Sequence, residues 1–149
     1  MTGDSFVKSQ LALLCWRNAP AGKPFQILQC LAFIVRNRVK AGWMGGDWLS
    51  VIANDPVYSP YDVNGHHHAA QADRALLESF PDLRDEVFQK FLWEIDRIYD
   101  GSRQDAMTEG AVWWAEIERI SRKWFLENIA RNQEQHPRVA QVASLTLWR

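Results

Sequence analysis

Cysteine is scarce in this chain, long apolar runs are missing and the charges cancel, and each lack removes a class of protein. Only two cysteines, Cys15 and Cys30, occur in 149 residues, and both fall in apolar stretches of helical spacing. That excludes a disulfide-stapled scaffold and predicts two buried thiols. No stretch approaches the roughly 18 apolar residues of a membrane span. The opening, MTGDSFVKSQLALLCWRN, lacks the basic start, long apolar core and small-residue cleavage site of a secretory leader. The expected location is therefore the cytoplasm, with any outside role depending on lysis or another exit route. Lys and Arg number 17 against 18 Asp and Glu, for a net charge of -1. With no long-range field to draw it onto nucleic acid or an anionic membrane, neither is an expected partner.

Catalytic signatures are equally sparse. No glycine pattern matches a phosphate loop, and no Gly-x-Ser-x-Gly elbow is present. Neither cysteine has a polar, activating neighbourhood. The run His66-His67-His68 does not space its rings onto one face, as a zinc site requires, so it reads as a solvated loop. His136, before a proline, reads as a turn residue. No metal or other cofactor is expected.

What the chain has is apolar bulk: 47% hydrophobic residues, including eight tryptophans. Its length suits a single domain over residues 1–149 with a substantial core. Asp4 or Ser5 can cap a first helix to about Arg17, with Phe6, Leu11, Leu14 and Cys15 on its apolar side. Pro24 suits the start of a second helix. There Ile27, Leu28, Leu31, Ile34, Val35 and Arg38 recur at helical spacing, and Cys30, Ala32 and Phe33 widen the apolar surface, marking the centre of the fold. Asp47 can cap a short helix over Trp48 to Asn54. Residues 54–65, with two prolines and several Asx residues, predict a loop. A modest helix is expected from Ala69 to Glu78 and a stronger one from Asp82 to Tyr99. The latter carries Leu83, Val87, Phe91, Ile95 and Ile98 inward, its acids on a solvated face and Gly101 at its end. Spacing predicts a further helix over Glu116 to Ala130. The fold class is mainly α.

Several short pieces, in this order, resemble the bacterial cell-wall hydrolase family that includes the spore-cortex-lytic enzymes. They are Val35-Arg36-Asn37-Arg38-Val39 closing the central helix, the aromatic-Ser pair Tyr58-Ser59, Gly110-Ala111 before two tryptophans, and the closing Leu147-Trp148-Arg149. The resemblance implies a lysozyme-like helical domain with a small β-hairpin near the C-terminus, Val112–Trp114 against Leu145–Trp148. It implies a cleft for peptidoglycan glycan strands, with Trp16, Arg17, Asn18, Tyr58, Ser59, Tyr61 and Trp113 as substrate-binding positions. It also implies a Glu at the end of the first helix that protonates the scissile oxygen.

Here that turn reads Trp16-Arg17-Asn18-Ala19. Glycoside cleavage needs a carboxylic acid whose pKa is raised by an apolar site. Arg stays charged and Asn is not an acid. Losing general acid catalysis removes roughly 10²–10⁴-fold of rate. The family's Gln before the aromatic-Ser pair is replaced by Val57, and the His of its Gly-Ala-Thr-His-Tyr stretch is also missing. Asp62 and Glu109 are the carboxylates expected to border the cleft as substitutes. The expectation is glycan binding with weak or no hydrolysis. The competing expectation is an intracellular helical interaction module without catalysis.

Overall fold

The structure is a computed structural model that describes residues 3–61 and 81–149. Asp62, the run His66-His67-His68 and the helix expected from Ala69 to Glu78 lie outside the described residues.

Helix α1 (Gly3–Asn18) buries Val7, Leu11, Leu14, Cys15 and Trp16. Phe6, expected on that side, is 47% exposed; it lies one residue before Val7, which takes the inward position. The helix is closed by Lys23, whose Nζ donates to the carbonyls of Trp16 at 2.7 Å and Ala19 at 3.1 Å. A cation on the last carbonyls complements the helix dipole. Helix α2 (Phe25–Lys40) follows Pro24, whose carbonyl accepts from the N–H groups of Ile27 and Leu28. Every residue from Cys30 to Arg36 is buried, so α2 is the central helix. Both thiols are buried and free, and burial pushes Cys30 up to about 12.

Helix α3 (Trp48–Ala53) is capped by Asp47, whose side chain accepts from Ser50 N–H at 3.0 Å. A 3₁₀ turn, Asp55–Tyr58, begins the expected loop. Helix α4 (Glu86–Asp100) starts four residues later than expected, because Asp85 supplies the cap, accepting from Phe88 N–H at 3.0 Å. The later start leaves Leu83 outside the helix, 61% exposed, and Val87 37% exposed, while Phe88 turns inward. The helix acids are not all solvated: Glu94 is buried and takes Arg103 Nε at 2.7 Å. Gly101, at φ 86, ends the helix as expected.

Strands β1 (Trp113–Ala115), β2 (Arg138–Val142) and β3 (Leu145–Trp148) form one antiparallel sheet in the order β1-β3-β2. Trp113 lies opposite Trp148, so the expected hairpin pairing is present and β2 extends it. The fold is mainly α with a small sheet near the C-terminus.

The continuous helix expected over 116–130 is a correction. A 3₁₀ turn (Ile117–Arg119) is followed by helix α5 (Lys123–Phe125), which passes into a π turn (Leu126–Ala130). Between them the N–H groups of Ser121 and Arg122 donate to the Pro60 carbonyl, so the intrahelical ladder cannot run through. Phe125 and Ile129 are buried, whereas Ile117 and Trp124 are more than 40% exposed.

Among the described residues, two hydrophobic clusters result. The larger joins α1, α2, α3 and α4 with Trp114, Val142, Leu145 and Leu147 of the sheet. The smaller is built from Trp113, Ala115, Phe125, Ile129 and Trp148.

Candidate functional site

The C-terminal turns of α2 anchor three loops. Arg36 Nη1 donates to the carbonyls of Ile98 at 3.2 Å and Arg103 at 2.8 Å. Asn37 Nδ2 donates to Thr108 Oγ1 and to the Ala111 carbonyl, both at 2.9 Å. Arg38 Nε donates to the Val112 carbonyl at 2.8 Å, and its Nη1 meets Asp55 Oδ1 at 3.0 Å. These three residues, within the Val35–Val39 stretch on which the resemblance partly rests, thus form a structural hub that positions β1 and the Asp55–Tyr58 turn.

Arg38 and Asp55 are both buried. Burial pushes the Arg38 guanidinium down from its ordinary value, and the Asp55 carboxylate opposes that. The second Asp55 oxygen accepts from Asn18 Nδ2 at 2.9 Å. The end of α1 therefore meets a carboxylate that sequence reasoning missed. Nothing local marked it, since Asp-Pro reads as a turn. Its chemistry is nonetheless spent: both oxygens already accept hydrogen bonds, and the partner is a cation. It is not placed as a proton donor to a leaving oxygen.

Above this pair lies a group of rings. Arg38 stacks under Trp43 at 4.9 Å and Trp113 at 5.7 Å from the ring centroids. Trp113 in turn meets Trp43, Tyr58, Trp124, Phe125 and His136 within 5.0–6.0 Å. Trp43 and Tyr58 are half-buried and Trp124 is 43% exposed, with Arg122 beside its ring at 5.9 Å. The result is an aromatic ledge with polar neighbours. Trp43, Trp124 and His136 were not expected there, because no local spacing ties residues so far apart.

The expected site residues divide. Asn18, Tyr58 and Trp113 are brought together through Asp55 and Arg38. Trp113, only 7% exposed, is the ledge's support and not a contact surface. Trp16 is a correction: also 7% exposed, it packs edge-on against Phe88 at 5.1 Å, so α4 covers the ring. Ser59 Oγ accepts from Tyr61 N–H at 3.2 Å and shapes the turn. Tyr61 packs on Trp114 at 5.6 Å, and its Oη accepts from Glu116 N–H at 3.1 Å; burial raises its pKa. Trp114 belongs to the larger cluster, so Tyr61 stands apart from the ledge. Glu109 is an exposed turn residue at φ 51 whose carbonyl accepts from Arg149 Nε. It lacks the apolar enclosure from which a general acid is made.

Arg17 points elsewhere. It is exposed and borders a groove of about 250 Å³ between α1 and α3, with Gln10, Leu13, Leu14, Ile52 and Pro56 among its walls. Among the described residues no group of His, Cys, Asp and Glu could hold a metal, and no helix is long and apolar enough to cross a membrane. Comparison of the chain with protein-family models, curated proteins and solved structures finds no match.

Proposed function

We propose that this chain is a lysozyme-like domain that binds the glycan strand of peptidoglycan and does not hydrolyse it. The observation that carries the reading is the ledge of Trp43, Tyr58 and Trp124 over the buried Arg38–Asp55 pair. Sugar rings present flat apolar C–H faces and a rim of hydroxyls, and an aromatic face beside polar groups answers both. A preformed ledge also lowers the ordering cost of binding. The non-hydrolytic half of the reading is supported by the end of α1, where Asn18 is no acid and Asp55 has both oxygens engaged.

Binding is tested by co-sedimentation with purified murein sacculi and by tryptophan fluorescence during titration with chitooligosaccharide. Retention on sacculi and a saturable fluorescence change are expected. No retention above a control protein sinks the reading. Turbidity loss of the same sacculi tests the catalytic half: no clearing is expected, and clearing by the wild type would show that an acid, with Asp62 and Glu109 first in line, has been supplied from elsewhere.

A second reading, a helical interaction module, is favoured by one observation. Trp93 on α4 is 67% exposed, with Arg97 over its ring at 4.3 Å. A large exposed ring of this kind is a common anchor in protein interfaces. Sedimentation velocity of the wild type against Trp93→Ala tests it; identical monomers would remove its support.

A further inference from the structure

We propose that the groove between α1 and α3 binds the free carboxylate end of a short peptide of small apolar residues, such as the peptide branch carried by a murein strand. The inference rests on the glycan reading for the source of the peptide and on the groove itself for the chemistry. Gln10, Leu13, Leu14 and Arg17 recur at i, i+3, i+4 and i+7, so they share one face of α1. That face looks onto Ile52 and Pro56 across a space of about 250 Å³. Among the described residues the lining is otherwise aliphatic, and only Gln10 and Arg17 bring polar side chains.

Those two define the ligand. Arg17 is exposed, and among the described residues no carboxylate pairs with it. A guanidinium presents a planar fork that matches a carboxylate. Gln10 offers both a donor and an acceptor, the pair that a peptide bond needs and a hydrocarbon chain cannot use. A sugar is a poor occupant because no aromatic ring lines the groove among the described residues, and Arg17 repels a cation. Position adds a further argument. Pro56, on the groove, and Tyr58, on the ledge, belong to the same four-residue turn, Asp55–Tyr58. The groove and the ledge therefore flank one turn.

The experiment is a ¹H–¹⁵N titration of the full chain with trialanine as free acid, trialanine amide and octanoate. Trialanine acid is expected to shift the amides of Leu13, Arg17 and Ile52 saturably. The amide should bind about tenfold more weakly, as expected for losing a charge-assisted hydrogen-bonded pair, and Arg17→Gln should abolish that difference. Arg17 is exposed, so this variant is expected to fold as the wild type does, and an unchanged amide spectrum away from the groove checks it. Equal binding of the amide overturns the carboxylate assignment, and equal binding of octanoate overturns the peptide. Groove shifts that grow with protein concentration alone overturn both in favour of a second copy. Loss of trialanine binding with the chitooligosaccharide response intact sinks only the groove. Trialanine binding with no chitooligosaccharide response sinks the glycan reading and with it the murein source.

Discussion

The two hydrophobic clusters are built on different principles. The larger is mostly aliphatic, with Leu11, Leu28, Ile34, Phe91 and Ile95 contributed by three helices; the buried charges beside it, Arg36 and Glu94, bond to backbone carbonyls and to Arg103, respectively. The smaller is mostly rings, and it lies beside an ion pair, with Arg38 next to Trp113 and Asp55 completing the charge. An aliphatic cluster tolerates losses locally, because each side chain contributes through area and fit. The aromatic region depends on a buried cation staying paired, so one residue can undo several contacts together. The half-exposed rings of the ledge therefore rest on the more fragile of the two supports.

The sharpest way to break this contrast is Asp55→Ala, which leaves Arg38 buried without its partner. A loss of about 3–5 kcal/mol in urea unfolding is expected, together with a changed Trp43 and Trp113 fluorescence. A loss below about 1 kcal/mol would mean that water reaches Arg38 and that the support is not fragile. Leu28→Ala in the aliphatic cluster should cost somewhat less, about 3 kcal/mol, and leave the ledge response to chitooligosaccharide unchanged. Trp124→Ala should change stability by under about 1 kcal/mol, since the ring is 43% exposed. It should nevertheless weaken chitooligosaccharide binding by about tenfold, within the range of an aromatic contact. Full retention of binding would take Trp124 out of the ledge.

The smallest expected effect concerns pH. Burial pushes the Asp105 carboxyl up, but hydrogen bonds from Thr108, Met107 N–H and Asn37 outweigh it and hold the group below its ordinary value of 3.8. A depressed folded value means that stability is fully present above the unfolded pKa and fades as pH falls through the folded one. Acid unfolding should therefore be shallower in Asp105→Asn than in the wild type below the ordinary value. Identical acid limbs would show that the 105–108 turn contributes nothing there.

Helix existence was legible because periodicity is local. The α2 stripe, the Asp47 cap and the Gly101 stop each sit within a few residues of what they control. The 116–130 segment misled for the opposite reason: its spacing is helical, but the Pro60 carbonyl, more than fifty residues earlier, takes two of its donors. The hairpin pairing came from a resemblance and was matched by Trp113 facing Trp148. Within the site, Asn18 and Tyr58 were visible in short motifs. Asp55, Trp43 and Trp124 were not, because only the tertiary fold brings them to Arg38 and Trp113.

The strand order carries a consequence for biosynthesis. β1 and β2 are not hydrogen-bonded to each other; each pairs with β3, which follows both in the chain. A nascent chain that has left the ribosome only as far as Val142 therefore holds two strands with bare edges and no sheet at all. Both ladders require the four residues from Leu145 to Trp148.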